Sequence, residues 1–186
     1  MRIISGEYKG KKINYIKSST TRPLRDIVKE SIFNIINHSN SIEVEVTNSK
    51  ILDLYSGTGS FGLECFSRGA KEIVLVEKDP QSISVLKKNL NLFSYNKKIK
   101  LFERKVEEFL VEFSKKNYFD IIFLDPPYQD KNLDNLIINI KKKKIFKNQN
   151  LVIVHQEENN KNKLTNLLRV ITIKKYGRSK IIFGNL

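Results

Sequence analysis

Apolar residues along this chain follow two rhythms. From residue 50 onward, short apolar, strand-like runs at 51–55, 72–76, 99–102, 120–124 and 151–154 alternate with segments whose apolar residues recur every three or four positions. A continuous stretch such as Ile121 to Leu124 predicts a strand covered on both faces, as in a parallel sheet. The intervening segments predict helices. Asp79-Pro80 offers an N-cap and first turn ahead of Ile83, Leu86, Leu90 and Phe93. Val106, Phe109, Leu110 and Phe113 repeat the pattern, as do Leu133, Leu136, Ile137 and Ile140. At the end of the chain, Arg169 to Tyr176 and Lys180 to Phe183 are rich in β-formers and separated only by Gly177-Arg178-Ser179, which predicts an antiparallel hairpin at the sheet edge. The expected fold class is α/β: a doubly wound, mostly parallel seven-stranded sheet closed by that hairpin.

Ahead of the sheet, residues 2–16 alternate loosely around Gly6 and Gly10, as a small β-hairpin would. Thr20-Thr21-Arg22-Pro23 then announces a helix, with Pro23 at or near its first position and Asp26 and Glu30 in the early turns. Leu24, Ile27, Val28 and Ile35 form one stripe, widened by Phe33 and Ile36, up to about His38. The polar residues 39–49 read as a connector. The chain thus divides into an N-terminal hairpin and helix extension, 1–49, and a sheet-forming domain, 50–186, with no internal repeat.

Composition sharpens this picture. The formal net charge of +14 points to a polyanionic partner. Residues 1–25 hold seven Lys or Arg against the single Glu7, and residues 159–186 hold seven basic residues and no acid. Basic margins of this kind contact phosphates without reading sequence. For any single tract, Lys141-Lys142-Lys143-Lys144 included, a merely solvated basic face is the alternative. The only cysteine, Cys65, lies among Phe61, Leu63 and Phe66, so no bridge forms within the chain and a reducing compartment is expected. Met1-Arg2-Ile3-Ile4-Ser5-Gly6 carries neither a secretory core nor a lipidation motif, and no segment is apolar enough to span a bilayer, so a cytoplasmic protein without membrane contact is expected. His38 and His155 have no further ligands at metal spacing, and no metal is expected.

The candidate chemistry lies at the end of the fourth strand. Ile121 to Leu124 runs into Asp125-Pro126-Pro127-Tyr128, at the carboxyl edge where open α/β sheets bind ligands. Two prolines fix φ twice, and the first also excludes Asp125 from the α region. A carboxylate beside a fixed carbonyl can accept both hydrogens of an exocyclic amine, and a tyrosine ring gives a nucleobase a face to stack on. The bland alternatives are a turn residue for Asp125 and pocket filling for Tyr128.

After the first strand, Ser56-Gly57-Thr58-Gly59-Ser60 is a glycine-rich turn opening a helix, and the next strand ends in Glu77, placed to accept from ribose hydroxyls. Gly57, Gly59 and Gly62 also satisfy the dinucleotide fingerprint, so the loop alone does not separate NAD from S-adenosylmethionine. Asp53 tilts the choice, because a carboxylate there repels a pyrophosphate and can receive an ammonium group.

Asp53-Leu54-Tyr55-Ser56-Gly57-Thr58-Gly59, Glu77-Lys78 and Asp125-Pro126-Pro127-Tyr128, in this order, resemble the motifs of Rossmann-like class I S-adenosylmethionine-dependent amino-methyltransferases. Arg2-Ile3-Ile4-Ser5-Gly6 with Gly10-Lys11, Thr21-Arg22-Pro23 with Asp26, Val28-Lys29-Glu30, Phe33-Asn34, Arg68-Gly69-Ala70 and Tyr176-Gly177 narrow the resemblance to the bacterial RsmD-type family that methylates guanine N2 in small-subunit (16S) ribosomal RNA. The resemblance spans the whole chain. It implies S-adenosylmethionine as cofactor, held by Asp53, Tyr55, Ser56, Gly57, Thr58, Gly59, Glu77, Lys78 and Asp125. It implies Asp125, Pro126, Pro127 and Tyr128 as the catalytic turn. The RNA contacts expected with it are Arg2, Lys11, Arg22, Arg25 and Lys29, toward ribosomal RNA that is free or within a partly assembled 30S subunit. The sequence departs from that family at Ile27, where a basic residue is usual, and at Glu103-Arg104-Lys105-Val106, where an acid is usual; Lys105 is given no role at the cofactor adenine.

Guanine's exocyclic nitrogen is a weak nucleophile because its lone pair is delocalised. Gripping both N–H bonds at Asp125 and the Pro126 carbonyl would localise that pair, and Asp125 would take the proton or pass it to water. The rival readings are an adenine-N6 amino-methyltransferase, a non-catalytic RNA-binding or ribosome-assembly protein, and an NAD oxidoreductase.

Overall fold

The apolar runs at 51–55, 72–76, 120–124 and 151–154 are strands buried almost throughout, whereas the run at 99–102 forms an edge strand of which only Ile99 is buried. A computed structural model describes residues 1–16, 24–93, 97–127, 132–160 and 164–186. In chain order its elements are α1 (Asp26–His38), β1 (Lys50–Leu54), α2 (Ser60–Ser67), β2 (Glu72–Glu77), α3 (Pro80–Asn91), β3 (Ile99–Glu103), α4 (Val106–Glu112), β4 (Phe119–Leu124), α5 (Leu133–Lys143), β5 (Phe146–Glu157), α6 (Leu164–Leu167), β6 (Arg169–Tyr176) and β7 (Ser179–Asn185). The strands form one seven-stranded sheet in the order β3-β2-β1-β4-β5-β7-β6. β1 to β5 are mutually parallel, and β7 runs antiparallel to both β5 and β6. The fold is the expected doubly wound one.

Alternation along each strand sorts the core into two layers. Ile51, Ile73, Leu75, Ile121, Phe123 and Ile153 face one cluster, which also takes in residues of α1, α2 and α3. Leu52, Leu54, Val74, Val76, Ile122, Leu124 and Val154 face the other, against α4, α5 and α6. The chain winds outward from β1 to β3 and then restarts at β4 on the other side of β1, so the order reverses between β1 and β4. That reversal opens a crevice at the carboxyl edge. Leu54 pairs with both Val76 and Leu124, and Leu124 pairs with Val154. Tyr55, Glu77, Asp125 and His155 therefore emerge side by side along one edge.

The N-terminal segment differs from its sequence reading. Residues 2–16 make a single antiparallel bridge, Arg2 to Lys12, and no longer ladder. The reason is a competing set of acceptors. The Ile4 and Ser5 amides donate to the two oxygens of Glu64 at 2.8 and 2.9 Å, and the Tyr8 amide donates to Ser67 Oγ at 3.0 Å. The segment is thereby stitched onto α2 as well as onto itself, where the Ile3 amide donates to the Lys11 carbonyl at 2.9 Å, the Gly10 amide to the Ile3 carbonyl at 2.9 Å and the Ile13 amide to the Met1 carbonyl at 3.1 Å. Ile3, Ile13, Leu24 and Val28 share one apolar cluster with Ile51 and Phe61.

Helix α1 starts at Asp26, later than the expected Pro23, which lies outside the described residues. The later start moves the buried stripe to Val28, Lys29, Ile32, Phe33 and Ile36. Ile27, expected in the core, is 67% exposed. Strand β5 begins at Phe146, five residues before its apolar run, and the short α6 is a single turn whose Leu164, with Leu167 and Leu168, packs into the second cluster. Among the described residues, no helix is long and apolar enough to cross a membrane.

Candidate active site

A cleft of about 220 Å³ opens at the carboxyl edge, lined by residues that include Asp53, Tyr55, Ser56, Gly57, Thr58, Glu77, Lys78, Phe123, Asp125, Pro126 and Pro127. Every expected cofactor-loop residue except Gly59 lines it, and so do three of the four residues of the proline turn. The fourth, Tyr128, lies outside the described residues. Met1, Ile16 and Leu24 of the N-terminal extension close one side. The floor is aromatic: the Phe61 and Phe123 rings stack with centroids 4.0 Å apart. Their burial contributes roughly 1.5–3 kcal/mol each. Sequence inspection placed Phe61 only at a helix start and Phe123 only in a strand, and nothing in the sequence brought them together.

The glycine turn is shaped by close approach. Gly59 adopts φ 86° at the N-cap of α2, a left-handed conformation that side chains resist. A Cβ on Gly62 would lie 2.4 Å from Leu75 Cδ2 and 3.2 Å from Asp53 Oδ2, so α2 seats directly on β1 and β2 because position 62 has no side chain. The expected Ser56 contact is partly spent on the fold. Its hydroxyl donates to the Asp53 carbonyl at 2.7 Å and accepts from the Val76 amide at 3.0 Å, tying the turn to β2. Glu77 braces the turn as well. One oxygen accepts the Gly57 amide at 2.7 Å, and the other accepts the Lys78 and Asp79 amides at 2.8 Å. The oxygen that takes the Gly57 amide keeps room for another donor from the cleft.

Asp53 is 1% exposed. Its Oδ2 accepts the Gly62 amide at 3.0 Å, while Oδ1 is buried with no partner among the described residues. Burial pushes its carboxyl well above the ordinary 3.8, the Gly62 hydrogen bond pulls the other way, and the negative charges of Asp125 and Glu77 push further up. An orphaned acceptor among like charges fits a cationic ligand group, and an ammonium is the chemistry it lacks. A raised acid pKa stabilises the fold fully below the unfolded value and withdraws that stability as pH rises through the folded one. Asp53→Asn is therefore expected to raise the thermal unfolding midpoint of the ligand-free protein at pH 7, with the gain vanishing toward pH 3.8. A series of melts across pH checks this; a midpoint lowered at every pH refutes it.

At the next strand end, Asp125 Oδ1 lies 2.8 Å from His155 Nδ1. Sequence inspection missed this histidine because it looked isolated. The available signal was its place directly after the 151–154 apolar run, at the strand edge that also carries Asp125.

The expected RNA-contact residues divide. Arg2 and Arg25 are exposed. The Lys11 ammonium lies 5.2 Å from the centroid of the Tyr8 ring and 4.9 Å from that of Phe93 and donates to the Leu92 carbonyl, so it is engaged within the fold. Arg22 lies outside the described residues. Lys29 is corrected: it is fully buried, 3.4 Å from the equally buried Glu64 and donating to the Arg2 carbonyl at 2.7 Å, and it is not an RNA contact. The helix start at Asp26 turns it inward, where α2 supplies its counter-ion. Lys105 is exposed at the start of α4 and is not among the cleft residues. Among the described residues, no group of three or more His, Cys, Asp or Glu is placed to hold a metal ion.

Comparison with known proteins agrees with this arrangement. The profile of the family described as "Conserved hypothetical protein 95" matches residues 1–185. The chain is 32% identical over 158 residues to "Putative rRNA methyltransferase YlbH" of Bacillus subtilis (strain 168), covering 84% of this chain and 83% of that protein. It is also 32% identical over 186 residues to "Ribosomal RNA small subunit methyltransferase D" of Buchnera aphidicola subsp. Baizongia pistaciae (strain Bp), covering 100% of this chain and 90% of that one. Among solved structures, "Putative methyltransferase yhhF from Escherichia coli" superposes with a TM-score of 0.82 at 26% identity, over 98% of this chain and 96% of that one. The chain belongs to the Conserved hypothetical protein 95 family, that of the RsmD-type methyltransferases.

Proposed function

We propose that this protein transfers a methyl group from S-adenosylmethionine to the exocyclic N2 amine of a guanine in small-subunit ribosomal RNA. The observation that carries the reading is the pairing, within one cleft, of a buried Asp53 oxygen lacking a partner among the described residues with a partly exposed Asp125 on a double-proline turn. The relatives named for ribosomal RNA methylation support the substrate class, and the net charge of +14 supports a polyanion.

When bound, S-adenosylmethionine supplies an electrophilic methyl on a positively charged sulfur. Asp53 Oδ1 would receive its ammonium, Glu77 its ribose hydroxyls, and the Tyr55-to-Gly59 turn with Lys78 the remainder. Asp125 and the Pro126 carbonyl accept the two hydrogens of the guanine amine, which turns the nitrogen lone pair toward the methyl donor. Pro126 and Pro127 keep that carbonyl from rotating away. As the nitrogen becomes positive, Asp125 stabilises it and takes the released proton. Tyr128 is assigned the stacking platform for the extruded base. Residues 1–49 are assigned the RNA contact, through Arg2, Arg25 and Arg22, and residues 50–186 the transfer chemistry. The enzyme would act in the cytoplasm, on ribosomal RNA free or within a partly assembled 30S subunit.

Incubating small-subunit ribosomal RNA with labelled donor and digesting it to nucleosides tests the reading. Label in N2-methylguanosine is the expected result. Label in N6-methyladenosine would transfer the assignment to the adenine alternative, and no incorporation into naked RNA or 30S particles would leave only an RNA-binding role.

A further inference from the structure

We infer that His155 is the positioning residue of Asp125: its imidazole takes one carboxylate oxygen so that the other is presented to the substrate amine. The inference rests on the reading of Asp125 as the amine acceptor. Its structural basis is the register of β4 and β5. Leu124 pairs with Val154, so Asp125 and His155 leave adjacent parallel strands side by side and on the same face. Their side chains meet at 2.8 Å through Oδ1 and Nδ1.

The direction of that bond is fixed by chemistry. An ionised carboxylate only accepts, so Nδ1 carries the hydrogen of this bond; in a neutral imidazole Nε2 then carries the lone pair. Nε2 is buried with no partner among the described residues. An apolar side chain would fill this volume without stranding a ring nitrogen, so packing alone does not account for the histidine. The two residues also divide by access: Asp125 lines the cleft and His155 does not. His155 therefore acts through Asp125 and not on the substrate.

A carboxylate on a single Cβ–Cγ axis swings freely unless one oxygen is held. With Oδ1 held by His155, rotation about that axis is restrained, and Oδ2 is the oxygen left for the cleft that Asp125 and Pro126 both line. Attack on the methyl requires the amine to be aimed within narrow limits, and loss of aim appears in turnover more than in binding.

Three substitutions separate this from a packing role. An Asn side-chain amide reaches the place of the imidazole Nδ1, whereas a Gln amide reaches the place of Nε2. H155L is expected to lower kcat about 10- to 100-fold, with donor affinity unchanged. H155N should recover most of that loss and H155Q should not. Nitrogen-15 spectra of the ligand-free protein should show His155 protonated at Nδ1. Equal turnover in all three variants, or an Nδ1 found without a proton, overturns the inference; thermal melts of each variant identify any that fail to fold, and the spectra stand without them. Wild-type protein that transfers no methyl to RNA refutes the proposed function instead, and the spectra still decide the His155–Asp125 bond.

Discussion

Asp125→Asn is expected to lower kcat for methyl transfer by about 10³-fold, while donor binding measured by calorimetry falls far less, since Asp125 is only one of the residues expected to hold the donor. The substitution is isosteric but reverses half of the side chain's polarity. The Asn carbonyl oxygen would take over the hydrogen bond from His155, since that nitrogen donates. The NH2 group would then face the cleft and oppose the two amine hydrogens it should accept. Donor would meet donor, and the carboxylate charge that stabilises the incipient cation would be gone. Asp125→Ala removes the clash but also the grip, so it should be impaired to a similar degree. A kcat within tenfold of wild type for both variants would show that the proline turn orients the amine through the Pro126 carbonyl alone.

The largest effect on stability is expected at Lys29. Its ammonium sits among Glu64, Ser60 Oγ at 3.3 Å and the Arg2 carbonyl, with Lys29 and Glu64 both fully buried. Burial lowers the lysine pKa below its ordinary 10.5, and the charges of Glu64 and Asp26 pull it back. Lys29→Met would leave Glu64 with the Ile4 and Ser5 amides and Arg68 Nε at 2.9 Å but without its buried counter-charge. Removing one partner of a buried pair typically costs about 3–5 kcal/mol, and the surviving donors place this case toward the lower end. Against a typical total of about 5–15 kcal/mol, this is a large fraction. Denaturant unfolding of Lys29→Met, Glu64→Gln and the double variant should give a coupling energy of about 0.5–3 kcal/mol. Additive losses would mean that the two side chains stabilise the fold independently.

These two residues also mark where sequence reading succeeds and where it stops. Asp125 was legible because its context is local: a run of buried apolar residues, then two prolines that leave the backbone little choice. The same holds for Asp53 and the glycine turn, whose neighbours in sequence are their neighbours in space. Lys29 was misread because a lysine is solvated by default, and the carboxylate that permits its burial comes from another helix. His155 was missed for the same reason, since its partner lies 30 residues away. The strands were recognisable because burial on both faces leaves a continuous apolar run. The N-terminal pairing was expected around Gly6 and Gly10, but its attachment to α2 was not, because Glu64 and Ser67 take its amides from about 60 residues downstream. Long-range polar pairings leave no periodic trace.

The position of β7 bears on how the protein is made. His155 pairs across the sheet with Ile181, and β7 is the inner partner that separates β5 from β6. As the polypeptide leaves the ribosome, β5 must wait as a bare, adhesive edge until Ser179–Asn185 have been translated. The nascent chain would then remain inactive, and open to β-strand capture by a neighbouring chain, until β7 emerges.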